Sequence, residues 1–79
     1  MLITADLIPA KPYIAYAYAQ DTLDAEPRLI VRSGMTARGA QRAATNAEKR
    51  LRRLAPTGTL VSWGWQKVDA DDRARGIVV

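Results

Sequence analysis

The chain has neither cysteine nor histidine. Without thiols no disulfide can staple it, and without thiolate or imidazole the usual zinc ligand sets cannot assemble. The same absences remove the histidine base and the cysteine nucleophile on which much of enzyme chemistry rests, and no serine has an evident base partner. Seventy-nine residues make one small domain, spanning 1–79, with little room to enclose a deep pocket. The expectation is a protein that is not an enzyme and carries no cofactor. No apolar run approaches the ~20 residues that a membrane span requires, so no membrane partner is expected. Met1–Asp6 has no basic region and meets an acid before any apolar run develops, so no secretory leader is expected either. The chain reads as cytoplasmic. A domain this short buries only about 60% of its unfolded surface. Without staples it gains stability by oligomerising or by docking on something larger, so a homodimer or a macromolecular partner is expected.

Charge is unevenly spread. Between positions 38 and 53 lie Arg38, Arg42, Lys49, Arg50, Arg52 and Arg53, opposed only by Glu48. That segment carries +5, against +4 for the whole chain. The acids gather in two other places, Asp21, Asp24 and Glu26, then Asp69, Asp71 and Asp72. One basic element and two acidic loops are implied.

The pattern along the chain predicts strand, strand, strand, helix, strand. Leu2–Ile8 reads as a first strand, stopped by Pro9 and Pro12, which lack the ladder N–H. Tyr13–Ala19 alternates large and small with period 2, placing Ile14, Tyr16 and Tyr18 on one face and Tyr13, Ala15, Ala17 and Ala19 on the other. The small face leaves room for a helix. The polar, acidic stretch Gln20–Pro27 reads as a hairpin loop. Arg28–Arg32 is a strand by its β-branched content, closed by Ser33-Gly34. Thr36 is a suitable N-cap for a helix over Ala37–Leu54. Its Ala40, Ala43, Ala44, Ala47, Leu51, Leu54 and Ala55 fall, at ~100° per residue, in a stripe roughly 120° wide. Arg38, Arg42, Thr45, Lys49, Arg52 and Arg53 lie opposite, and Pro56-Thr57-Gly58 ends the helix. Thr59–Val68 reads as the longest strand, Asp69–Gly76 as loop, and Ile77–Val79 as a short last strand or a frayed end. The implied fold is α+β, an antiparallel sheet of three to four strands in the order β-β-β-α-β, with one helix on one face. A single helix covers one face, leaving the other to solvent or a partner.

Four constellations bear on function. The basic helix face can track phosphates or dock on an acidic protein surface; its alternative is a solvated outer face built from good helix formers. None of the common nucleic-acid recognition signatures accompanies it. Trp63 and Trp65 project on the same side of one strand, as Tyr16 and Tyr18 do on another. Such pairs can stack on bases or anchor an interface. The favoured reading places the tryptophans in the core beneath the small-residue helix, which leaves the tyrosine face exposed. Gly34 and Gly39 have the glycine spacing of a phosphate loop, but Ala40-Gln41 stand where lysine and serine or threonine are required, so nucleotide binding is not expected. Asp69-Ala70-Asp71-Asp72 lacks the turn glycine and distal glutamate of a calcium loop, so no metal is expected. Asp21, Asp24 and Glu26 sit in an exposed loop, where nothing would tune a catalytic acid. The expected partner-binding residues are therefore Arg38, Arg42, Lys49, Arg52 and Arg53, with Tyr16 and Tyr18. Two classes of partner follow: a protein or ribonucleoprotein complex, or nucleic acid itself.

Tyr13–Ala19, Arg28–Gly34, the Thr36-capped alanine-rich helix and Thr59–Val68 together resemble small inhibitors encoded by phages and mobile elements, the anti-CRISPR class. The likeness lies in length, strand–strand–helix–strand order and the alanine-rich helix. It implies a stoichiometric blocker of a CRISPR surveillance complex in the host cytoplasm, its basic face docked on acidic protein patches. An acidic face could mimic DNA, but the net positive charge argues against mimicry by the whole protein.

Overall fold

Alternation of period 2 and repetition of period 3.6 divide this chain into strands and helices, and proline and glycine punctuate them. In the computed structural model of the chain, which describes residues 1–20 and 28–79, the elements are β1 (Leu2–Ile3), a 3-10 turn (Ala5–Leu7), β2 (Tyr13–Ala19), β3 (Leu29–Gly34), α1 (Ala37–Leu54), β4 (Val61–Lys67), α2 (Ala70–Arg75) and β5 (Ile77–Val78). The fold is α+β. The acidic stretch Asp21, Asp24 and Glu26 lies outside the described residues, as does most of the expected hairpin loop.

The main sheet has three strands in the order β3-β2-β4, antiparallel throughout. Residues opposite one another share a face. Ala15, Ala17 and Ala19 of β2 therefore lie beside Trp65, Trp63 and Val61 of β4, and Ala15 and Ala17 also lie beside Arg32 and Ile30 of β3. This is the face that α1 covers. Ala17, Ala19 and Ile30 form one core cluster with Ala47 and Leu51 of the helix. Ala40, Ala44, Ala47 and Leu51 are all buried, as the alanine stripe requires. Ala43 is half-buried, and Leu54, placed by periodicity on the stripe, is exposed at the last turn. The helix starts where Thr36 accepts a hydrogen bond at Oγ1 from the Gly39 amide, 3.0 Å away. It ends at Leu54, with the Ala55 N–H bonded to the Leu51 carbonyl and Pro56 following. Gly34 has a packing reason. A Cβ there would stand 2.8 Å from the Ala40 nitrogen, so only glycine lets the start of α1 lie against the end of β3.

Three expectations need correction. The first strand spans two residues, not seven, and joins no part of the main sheet; β1 pairs with β5 in a separate ribbon, Leu2 opposite Val78 and Ile3 opposite Ile77. The main sheet is thus β-β-α-β, with the remaining strands set apart. Asp69–Gly76 is not a loop. Asp69 caps α2 by accepting from the Asp72 amide at 2.9 Å, while the Asp72 carboxylate accepts from the Asp69 amide at 3.0 Å, a reciprocal capping box. The sheet face away from α1 is not left bare. Ile3, Ile14, Val68 and Ile77 form a second buried cluster there, with Ile8, Tyr16, Val31 and Val79 packed around it.

Backbone hydrogen bonds hold that second layer. Met1 N donates to the Val79 carbonyl at 2.9 Å, and Val79 N to the Met1 carbonyl at 2.8 Å. The Arg73 guanidinium spans two carbonyls of the proline-rich break, Pro9 O at 2.7 Å and Lys11 O at 2.9 Å, tying α2 to that break. Gly76, at φ +89°, lets the chain turn into β5; a Cβ there would stand 2.5 Å from the Ile3 carbonyl oxygen.

Two predictions follow. Ala44→Leu forces extra volume between helix and sheet and should lower the unfolding free energy by roughly 1–3 kcal/mol in urea titration. Arg73→Ala should speed amide exchange at Ile3 and Ile77 while leaving Ala15 and Ala17 protected, because it releases the ribbon layer and not the helix layer.

Candidate docking surface

Diametrically opposite the buried alanine stripe, Arg38, Arg42 and Lys49 form a row along the exposed side of α1. Arg50 and Arg53 lie on the flank toward β3. There Arg32, whose parity places it on the helix face of β3, joins them around a shallow groove completed by Ala43, Asn46 and Ala47. Arg52 lies on the other flank, toward β4, and is ion-paired with Glu48 one turn before it. Among the described residues that pair is the one place where an acid answers the helix cations. Among the described residues, Arg38, Arg42, Lys49, Arg50 and Arg53 have no ion-pair or hydrogen-bond partner, so their charge is directed at solvent.

The structure thus brings Arg38, Arg42, Lys49, Arg52 and Arg53 onto one surface, as the sequence predicts, and adds Arg50 and Arg32. Arg32 was legible from its i+2 relation to Ile30, a strand residue that faces the helix. Tyr16 and Tyr18 are not part of this surface. They lie on the opposite sheet face, with ring centroids 6.4 Å apart and planes 27° from parallel. Tyr16 is half-buried against the second core cluster, and its ring lies over Gly64, where a Cβ would come within 2.7 Å of the hydroxyl oxygen. Burial, and secondarily the neighbouring Tyr18, pushes the Tyr16 phenol above its ordinary value.

The tryptophans sit on the helix side of the sheet, as expected, but they are not its core. Trp63 is 44% exposed and Trp65 39%. β4 is an edge strand, and α1, centred over Ala15, Ala17 and Ala19, leaves the outer part of each indole uncovered. Trp65 is braced by Tyr13, ring centroids 6.3 Å apart at 56°. Two half-exposed indoles therefore border the basic helix on the β4 side.

The other sequence candidates are accounted for locally. Gly34 and Gly39 serve helix packing and capping. Asp69 and Asp72 cap α2. Among the described residues no three acidic, histidine or cysteine side chains gather to hold a metal, and no helix is long and apolar enough to cross a membrane. No family model matches the chain, no curated protein matches it, and no solved structure matches it.

The tyrosine pair gives a pH prediction. The unfolded chain ionises Tyr16 near the ordinary value of 10.0, whereas the folded state resists ionisation to a higher pH. The stability it contributes is complete below pH 10 and is lost as pH rises through the folded pKa. Unfolding free energy should fall above pH 10, and Tyr16→Phe should make that fall shallower in denaturant titrations across the alkaline range.

Proposed function

We propose that this chain is a non-catalytic binding protein that docks through the exposed side of α1 onto an acidic surface of a larger protein or ribonucleoprotein complex, inhibiting or adapting it. The observation that carries this reading is the row Arg38, Arg42 and Lys49, with Arg50 and Arg53 beside it, none of them neutralised within the described fold. Like charges held this close repel one another, so the arrangement is a standing cost that an acidic partner relieves. The helix is rigidly seated by its four buried residues, which keeps the cations in a fixed pattern and lowers the ordering cost of docking. The non-catalytic reading rests on composition, since the chain brings no histidine or cysteine to do chemistry. The resemblance to anti-CRISPR inhibitors suggests the specific form: stoichiometric occlusion of a CRISPR surveillance complex in the cytoplasm of a phage's host.

The same cations suit phosphates, and salt dependence separates the two partners. Docking on free DNA or RNA should weaken with salt by a log–log slope near the number of phosphates contacted. Docking on a protein surface should show a shallower slope and a partner recoverable by affinity capture from bacterial lysate. The double reversal Arg42→Glu/Lys49→Glu should reduce affinity for the captured complex by at least roughly tenfold, about 1.4 kcal/mol, with the fold intact by circular dichroism. Unchanged affinity would show the basic row to be solvated surface only.

A further inference from the structure

The two edges of the main sheet differ, and the difference points to a second interface that the basic helix does not explain. Along β2, hydrogen-bonding partners alternate. Gln20 N donates to the Leu60 carbonyl and Val68 N to the Pro12 carbonyl, which fixes the pairs 20–60 and 12–68 as hydrogen-bonded. By the two-residue period of an antiparallel ladder, Ser62, Gly64 and Gln66 then turn their N–H and C=O groups toward β2. Val61, Trp63, Trp65 and Lys67 turn theirs outward, to the free edge. Ala19 N bonded to the Arg28 carbonyl sets the phase of β3 in the same way, so Leu29, Val31 and Ser33 face its free edge.

The β3 edge is guarded. Arg32 folds back to donate from Nη1 to the outward carbonyl of Val31 at 3.0 Å, and Leu7 and Pro9 border a shallow groove with Val31, Arg32 and Ser33. A charge placed on an edge and a bonded edge carbonyl are ordinary defences against strand pairing. The β4 edge has no bonded outward carbonyl and no charge along its centre. It runs seven residues without proline and carries its single charge at the last position, Lys67. Among the described residues no side chain or backbone group bonds its outward positions. Two half-exposed tryptophans stand directly above it, and Leu60, just before it, is 63% exposed.

We infer that β4 pairs with β4 of a second copy of this chain, antiparallel about a two-fold axis at Gly64, joining two three-stranded sheets into one of six strands. The occupant follows from self-complementarity. An antiparallel pair centred on residue 64 sets Val61 opposite the other copy's Lys67, and Trp63 opposite its Trp65, each combination occurring twice. These are the outward-facing positions, so both strands present donors and acceptors in phase. The indoles of the two copies meet on the helix side as cross-strand aromatic pairs, and no like charges face each other. Glycine on the axis adds no side chain of its own at that point, and on the far face each copy's Tyr16 ring lies over it. The two helices come to lie on the same side of the joined sheet, with the four indoles in the groove between them. The flank of α1 turned to that groove holds Gln41, Thr45, Glu48 and Arg52, where the helix's only acid already answers its arginine; the uncompensated cations point outward or toward β3. The interface therefore leaves the basic surfaces of both copies accessible, and it stands or falls independently of the docking proposal above.

The test is made on the full chain without a partner. Sedimentation velocity at micromolar to hundred-micromolar concentration should give about twice the 8.7 kDa chain mass at the upper end. Amide exchange under the same conditions should protect Trp63 and Trp65 along with Ser62, Gly64 and Gln66. Trp65→Lys should give the chain mass and expose the Trp63 amide, while retained protection of Gly64 and Gln66 shows that the fold survives. The chain's only two tryptophans lie in the interface, so their emission should shift to the red as the protein is diluted. A single-chain mass at every concentration, with the Trp63 and Trp65 amides exchanging freely, overturns the proposal and leaves the edge to a strand from some other protein. A dimer whose Trp63 and Trp65 amides remain unprotected overturns it equally, because the contact then lies elsewhere.

Discussion

The close approach of α1 to β2 is the contact on which the rest of the structure depends. Ala40, Ala44 and Ala47 come down on a strand whose facing residues are Ala15, Ala17 and Ala19, all buried. Small side chains on both sides allow the helix to lie near the sheet backbone, and larger Ile30 and Leu51 fill the remaining space. The arrangement fixes the helix's rotation. Once the alanines are down, the arginines are up, and their positions are set by the same 3.6-residue repeat. Core packing and surface charge are two readings of one stripe, so a change that rolls the helix would disturb the core and the basic face together.

The thinness of that layer has a second effect. A narrow helix seated over the central strand cannot shelter bulky residues on a flanking one, and the indoles of β4 extend past its shadow. On the far side the ribbon β1–β5, with Ile8, Val31 and Val68, shields Ile14 and part of Tyr16. The protein is therefore layered asymmetrically: one side polar and cationic, one side closed by the ends of the chain, and one lateral edge aromatic.

How much of this the sequence disclosed depended on the range of the interactions involved. The helix over Ala37–Leu54, its threonine cap and its buried stripe were legible because capping and amphipathicity are settled within a few residues. The basic surface followed from the same periodicity. Leu2–Ile8 reads as one strand, yet only Leu2 and Ile3 find a ladder partner, and that partner lies far off in sequence at Ile77–Val78. The helix at Ala70–Arg75 was hidden by its acids: Asp69 and Asp72 look like exposed loop charge until they are seen to cap each other's backbone. Periodicity puts the tryptophans on the helix side of the sheet but does not reveal that they stand at its margin. Strand order is a property of the assembled sheet, and alternation along one strand carries no information about what lies beside it.

The meeting of Tyr16 with Gly64 couples two positions far apart in the chain. The phenol occupies the space that any side chain at 64 would need, closely enough that even a methyl group would be displaced or would displace the ring. Bulk at 64 requires the phenol to give way, whereas position 16 can lose its hydroxyl with no clash. A descendant sequence that acquires bulk at position 64 must swing the phenol aside or shorten position 16, and either change would uncover part of the sheet's far face where an aromatic lid now sits.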